Sequence, residues 1–228
     1  MIKENLEIIR EQIKQAALSA GNNPQDITLI AVTKTHGPEL INEAISHGVT
    51  DIGENKVQEV EAKFLEVNPV KWHLIGHLQT NKVKHIVDKV SLIHSVDSIK
   101  LLDEIEKQSK LKDKISEVLI QINISGEETK FGINPLEIEK YLEYCEQLEN
   151  VKIRGLMTIA PKLYGNLTNQ KHFENIRKIF VDIQGKKYDN SNMRYLSMGM
   201  SGDYCEAVAA GSNMVRIGSA IFGKRDYK

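Results

Sequence analysis

Apolar residues recur along this chain in two alternating rhythms. Leu6, Ile9, Ile13, Ala16 and Ala17 fall at helical spacing and the run stops at Gly21 and Pro24, which predicts an amphipathic helix over 3–20. The stretch 27–33, Ile-Thr-Leu-Ile-Ala-Val-Thr, is β-branched and flanked by turn residues, so it reads as a buried strand. The alternation then repeats. Further strands are predicted at 49–53, 70–75, 90–94, 117–124, 152–157, 195–198 and 214–217. Between them lie helical patterns: one from Pro38 through Ile45, closed by Gly48; one over 55–66 with Val57, Val60 and Phe64 on one face; one over 80–87. Ser98 caps a helix carrying Leu101, Leu102 and Ile105, Asn134-Pro135 opens another, and two more cover 170–183 and 203–210.

Eight short strands separated by helical patterns imply parallel pairing with right-handed crossovers. Eight such units can close into a (β/α)8 TIM barrel, an α/β fold in which neither sheet edge is left open. The competing architecture, an open doubly wound sheet, lacks support, because no Gly-x-Gly-x-x-Gly follows the first strand. With no linker, low-complexity stretch or repeat, residues 1–228 are expected to form a single barrel domain, with 1–20 packed on it as a leading helix.

Composition narrows the class without changing the fold. A 41% hydrophobic and 27% charged chain of 228 residues is ordinary for a soluble globular protein. A formal net charge of −1 gives no global field to attract nucleic acid or an anionic membrane. The two cysteines, Cys145 and Cys205, form no Cys-x-x-Cys pair and suggest a reducing compartment. The charged start lacks the apolar core of a signal peptide, and no apolar run is long enough to span a bilayer, so the expected location is the cytoplasm.

In such a barrel, function gathers at the C-terminal ends of the strands. Those ends are Lys34, Glu54-Asn55, Gly76-His77, Ser95, Asn123–Ser125, Met157-Thr158, Ser197–Gly202 and Arg216–Ser219. Lys34 admits two readings: it sits just past its strand and reaches solvent along its own stem, or burial leaves it a neutral amine able to attack a carbonyl. Two glycine-serine turns sharpen the choice. Ser197-Met-Gly-Met-Ser-Gly-Asp203 runs from strand seven into a helix, and Arg216-Ile-Gly-Ser219 ends strand eight. Small residues beside unpaired helix-start amides bind anions, and Asp203 is expected as the helix cap. Either turn alone is an ordinary tight turn. Both together, opposite a strand-end lysine, point to a phosphorylated aldehyde held through a Schiff base. Arg216 either makes an outward salt bridge or points into the site. In the second case it would disfavour a protonated pyridine nitrogen in pyridoxal phosphate.

Several motifs in order carry a wider likeness: Ala31-Val-Thr-Lys34, Gly53-Glu-Asn-Lys-Val-Gln-Glu59, His73-Leu-Ile-Gly-His-Leu-Gln-Thr-Asn-Lys82, Gly155-Leu-Met157, Ser197-Met-Gly-Met-Ser201 and Val215-Arg-Ile-Gly-Ser-Ala-Ile-Phe-Gly223. Over essentially its whole length the chain resembles the pyridoxal phosphate homeostasis proteins, single-domain relatives of bacterial alanine racemase. The resemblance implies a barrel like the N-terminal domain of alanine racemase. It implies pyridoxal 5′-phosphate as cofactor, with Lys34 carrying it as a Schiff base, Ser201, Gly202, Gly218 and Ser219 holding the phosphate, Arg216 facing the pyridine nitrogen and Asn55 near the ring. The chain departs from the family at Lys56, where an aromatic residue or arginine is commoner. At Gly202, a variable position, the backbone would make the contribution.

The same resemblance implies a binding protein with no catalytic residue. Racemases and decarboxylases of this fold carry a second, β-rich domain that supplies a catalytic tyrosine or cysteine, and about ten residues after strand eight cannot build one. The reading expected here is a monomeric or weakly associating carrier or regulator of pyridoxal phosphate, with pyridoxal-phosphate-requiring apo-enzymes as possible recipients. An amino-acid racemase or other α-carbon enzyme is the alternative. A cofactor-free lysine aldolase comes third. Other signals weigh less. His73 and His77 straddle a strand end without a third ligand at metal spacing, so no metal is expected and His73 reads as a hydrogen-bonded barrel residue. Lys107, Lys110, Lys112 and Lys114 read as a solvated surface and Tyr227 as a frayed terminus, and a lid over 127–132 with Lys130 reaching the phosphate is the less favoured reading of that stretch.

Overall fold

The computed structural model describes residues 1–124, 131–161 and 168–223, so Ser125, Lys130 and Tyr227 lie outside the described residues. Among those described, eight strands run β1 (Thr28–Val32), β2 (Asp51–Glu54), β3 (Lys71–Leu74), β4 (Leu92–Val96), β5 (Ser116–Ile122), β6 (Val151–Thr158), β7 (Ser191–Met200) and β8 (Met214–Ile217). Each pairs in parallel with its sequence neighbours, and β8 returns to β1, closing the barrel that the alternation predicts. The helices are α1 (Ile2–Ser19), α2 (Pro38–Ser46), α3 (Val57–Lys63), α4 (Ile99–Leu111), α5 (Ile138–Cys145), α6 (Gln170–Gln184), α7 (Tyr204–Ala209) and α8 (Ser219–Phe222).

Strand side chains alternate between two apolar layers. Ala31, Ile52, Leu74, Ile93, Val118, Leu196 and Val215 pack outward in the large core shared with the helices. Ile30, Leu92, Leu119, Met157 and Met214 fill the barrel interior, with Tyr195 against them. Period two then places His94, Ser197 and Arg216 on the inward face, two residues beyond Leu92, Tyr195 and Met214. Local chemistry fixes the helix starts. The Ser98 hydroxyl accepts from the Leu101 amide at 3.3 Å, and Asn134 and Glu137 form a capping box ahead of α5. α1 buries Ile2, Leu6, Ile9, Ile13 and Ala17 against α7 and α8, and Asn5 Nδ2 donates to the Ile221 carbonyl at 2.8 Å.

Four details differ from the sequence pattern. The segment expected as an α-helix over 80–87 is a 3-10 turn, Thr80–His85, with Val83 buried within it and Ile86 and Val87 buried just after it. β7 starts at Ser191, four residues early, because its first half alternates buried and exposed positions that are too polar to register as apolar. α8 has no periodic signal at only four residues. Lys114 is not on the solvated face with Lys107, Lys110 and Lys112. Half-buried, it donates to the Val87 and Val90 carbonyls at 2.6 and 2.9 Å.

β6 pairs with both neighbours through register shifts, and Gly155 sits at them with φ +153°. A Cβ there would lie 1.8 Å from the Tyr195 carbonyl oxygen, which belongs to the sheet itself and cannot move aside. Gly155→Ala is therefore expected to cost roughly 3 kcal/mol or more, read as a lowered urea midpoint.

Candidate functional site

A cleft of about 470 Å³ opens at the C-terminal ends of the strands, and Lys34, Asn55, Ser201, Gly202, Arg216, Gly218 and Ser219 all line it. Ser95, also a strand-end residue, does not. Phe131, Ile159 and Met200 give the rim exposed apolar surface. His77 stacks on Phe131 at 3.9 Å between ring centroids and pairs with Asp97 at 3.3 Å, while His73 turns into the barrel toward Asp51. A second cavity, about 560 Å³, occupies the opposite mouth, where Asp51, His73, Glu117 and Tyr195 are among its walls.

Lys34 lies two residues past β1 and is half-buried in the cleft wall. The chain turns sharply there: the His36 amide donates to the Thr33 carbonyl at 3.1 Å, and Thr35 takes φ +69°. A β-branched residue in that region is strained and persists only where its surroundings enforce it. Here they do. The Thr35 amide donates to Glu59 Oε2 at 2.8 Å. Lys63 Nζ reaches across to Glu54 Oε1 at 2.8 Å, Glu59 Oε2 at 3.0 Å and the Thr33 carbonyl at 3.2 Å. Glu54 Oε1 also accepts the Thr33 hydroxyl at 2.7 Å. Burial pushes the Glu54 carboxyl above its ordinary range, and the hydrogen bonds from Lys63 and Thr33 oppose that push. The network brackets Lys34 on both sides in sequence. Sequence reasoning placed Glu54 at a strand end and Glu59 in a motif, but assigned neither a task. It missed Lys63, whose only signal is its place four residues after Glu59 on one helix face.

The opposite wall is built by two turns. Ser201 Oγ accepts from the Gly218 and Ala220 amides at 3.2 and 3.3 Å, so backbone donors of the turn after β8 converge on one oxygen. Asp203 stands at the N-cap position of α7 as expected, but its carboxylate does not cap the helix. It accepts from the Met200 amide at 2.7 Å and from Asn169 Nδ2 at 3.0 Å, holding the turn before the helix instead. Gly76 lets the end of β3 close onto Asn55: a Cβ would lie 2.2 Å from the Asn55 carbonyl oxygen.

Arg216 points inward, which removes the outward salt-bridge reading. It is 4% exposed, and its Nη1 donates to Ser197 Oγ at 2.5 Å and its Nη2 to the Thr158 carbonyl at 2.8 Å. Burial brings its pKa down to about 10, with Asp203 opposing, so it stays a cation at neutral pH. The cleft thus combines a half-buried lysine, a buried guanidinium and backbone amides gathered on the Ser201 hydroxyl.

The family described as "Alanine racemase, N-terminal domain" matches residues 3–226. The chain is 41% identical over 226 residues to the pyridoxal phosphate homeostasis protein of Aquifex aeolicus, covering 98% of each. It is 39% identical to that of Escherichia coli strain K12, covering 99% of this chain and 97% of the relative. PipY of Synechococcus elongatus PCC7942, solved with PLP bound, superposes with a TM-score of 0.85 at 33% identity, over 98% of this chain and 100% of PipY. Alanine racemase of Clostridium difficile 630, in complex with cycloserine, shares the fold at TM-score 0.73 and 16% identity, over 99% of this chain and 61% of the racemase.

Removing Lys63 would leave the Glu54 carboxylate buried beside Thr33 without its counter-charge. Lys63→Met should cost about 3–5 kcal/mol. The double variant Glu54→Leu/Lys63→Met should recover much of it in chemical denaturation, because the fully buried carboxylate goes with its counter-charge and Glu59, which keeps the Thr35 amide, is partly exposed.

Proposed function

The chain belongs to the pyridoxal phosphate homeostasis protein family, and on that premise we propose that it binds pyridoxal 5′-phosphate reversibly in this cleft, as a cytoplasmic carrier or regulator without turnover. The observation that carries the reading is the meeting of three chemistries in one cleft: the Lys34 amine, the buried Arg216 guanidinium, and the Gly218 and Ala220 amides converging beside Ser201. When bound, pyridoxal phosphate supplies a reactive aldehyde and a dianionic phosphate. Lys34 would hold the aldehyde carbon as a Schiff base, one water being released as the C=N bond replaces the C=O. Ser201, Gly202, Gly218 and Ser219 hold the phosphate through hydroxyl and amide donors. Arg216 would face the pyridine nitrogen and oppose its protonation, and Asn55 would lie near the ring. The protein works as a monomer or weak associate, and pyridoxal-phosphate-requiring apo-enzymes are its recipients.

The carrier reading is supported by what the cleft lacks for α-carbon chemistry. A two-base racemisation needs a proton donor on each face. Lys34 can serve one. Among the described residues lining the cleft there is no tyrosine or cysteine, and His77, the remaining imidazole, is engaged by Asp97 and Phe131. No helix among the described residues is long and apolar enough to cross a membrane.

Wild-type protein loaded with pyridoxal 5′-phosphate should be yellow, and borohydride should fix a pyridoxyl group that peptide mapping places on Lys34. Lys34→Ala should give no adduct. A wild-type protein that takes up no pyridoxal phosphate would sink the proposal and favour an aldolase that uses the lysine alone. Single amino acids incubated with the loaded protein in heavy water should show no enzyme-like exchange of the α-proton; such exchange would restore the racemase reading.

A further inference from the structure

The barrel interior holds charge that the proposed binding of pyridoxal phosphate does not use. Asp51 Oδ1 lies 2.9 Å from His73 Nε2, His73 Nδ1 lies 3.0 Å from His94 Nε2, and His94 Nδ1 lies 3.0 Å from Ser197 Oγ. Ser197 Oγ in turn accepts from Arg216 Nη1. All five residues are buried. The chain begins in the wall of the cavity at the N-terminal mouth and ends in the wall of the cleft at the other. It comes from five strands, β2, β3, β4, β7 and β8, so it is a property of the closed barrel rather than of any one segment.

Counting donors orients it. Arg216 can only donate, so Ser197 Oγ accepts. With no other acceptor for its hydrogen among the described residues, the Ser197 hydroxyl donates to His94 Nδ1, which is then unprotonated. His94 therefore carries its proton on Nε2 and donates to His73 Nδ1, and His73 donates from Nε2 to the Asp51 carboxylate. In this order every step uses one hydrogen. The reverse order needs a cationic His73 and leaves the Ser197 hydrogen without an acceptor among the described residues. Burial above all, with the charge of Arg216 adding to it, holds His94 well below the ordinary imidazole range, in agreement with a neutral His94. Asp51 completes the far end. Burial works against its carboxylate, but hydrogen bonds from His73 and Thr50 outweigh that and keep it ionised.

We propose that Asp51, His73, His94 and Ser197 are positioning residues for Arg216: a one-directional hydrogen-bond chain across the barrel that locks the guanidinium against the cleft and so tunes the ring of a bound pyridine cofactor. The inference rests on the pyridoxal phosphate reading above. A cation at one end and an anion at the other polarise every bond between them in the same sense. A bidentate hold on Ser197 and Thr158 leaves the guanidinium plane little freedom to turn. Loss of Ser197 or of its acceptor would free one arm of Arg216 without removing its charge.

The test uses the full chain in two ways. Long-range nitrogen–proton NMR of histidine-labelled protein, without added cofactor, reads both tautomers; His73 and His94 are each expected as the Nε2–H form. A His94 proton on Nδ1 would overturn the inference whatever the cofactor does. The second readout is the visible absorbance and fluorescence of pyridoxal 5′-phosphate bound to wild type, Ser197→Ala, His94→Gln and His94→Asn, with melting temperatures recorded alongside. Ser197→Ala and His94→Gln should displace the bands and weaken binding by about tenfold, the scale of one hydrogen bond to a charged group. His94→Asn, whose side-chain oxygen falls near the position of Nδ1, should keep bands closer to wild type. Ser197→Ala and His94→Gln proteins that fold and bind with wild-type bands and affinity would overturn the inference alone. A wild-type protein that binds no pyridoxal phosphate would overturn the cofactor reading and this inference with it.

Discussion

A guanidinium enclosed in a closed barrel is the constraint around which this structure is arranged. Burying a cation is costly unless every donor it offers finds an acceptor. Arg216 meets part of that demand with a serine hydroxyl from β7 and a carbonyl at the end of β6. The barrel interior is then no uniform apolar plug. A small cluster of Ile30, Leu92, Leu119, Met157 and Met214 fills one side, and a polar file of Asp51, His73, His94 and Ser197 runs past it. A parallel barrel usually packs its centre with branched apolar layers. Here polar satisfaction replaces part of that packing, and the replaced part leads to the cleft.

The other wall solves a different problem. A lysine just past a strand end is easily left to wander, since its four-carbon stem has many rotamers. Thr35 accepts a strained backbone immediately after Lys34, and the carboxylates of Glu54 and Glu59 with the ammonium of Lys63 hold the turn in that shape. The two walls use opposite means. One fixes a charged head directly by hydrogen bonds, and the other fixes the backbone beneath a side chain.

Much of this was legible in the sequence, for reasons of scale. Period-two runs such as 27–33 and 214–217 and the helical stripe of α1 are signals carried within a few residues, so strand order and closure followed from counting. The seven expected site residues meet in one cleft because barrel topology sends every strand end to the same face. What escaped has a common physical character. Lys63, Glu54 and Thr33 come together only through tertiary contacts, and His94 was an unremarked member of a buried strand. Asp203 was correctly placed at a helix start, yet its carboxylate is claimed by the Met200 amide and Asn169, competing donors that no local pattern announces. The 3-10 turn at Thr80–His85 keeps the apolar positions of an α-helix and differs only in winding, which periodicity over six residues does not resolve.

On the proposed reading, the electrostatics of the cleft explain how a protein can hold a reactive aldehyde without putting it to work. A protonated pyridine nitrogen makes the ring a strong electron sink, and a permanent cation at that position opposes the protonation. Arg216 is such a cation, and its burial lowers its pKa only to about 10, far from neutrality. On the same reading the phosphate end would be held by neutral hydroxyl and amide donors, so anchoring there would add no group that could shuttle a proton at the α-carbon. Binding strength and reactivity are thereby placed on different walls. Hydrogen bonds around Ser201 can hold the ligand while Arg216 keeps its ring subdued, and an exchangeable bond to Lys34 allows it to leave.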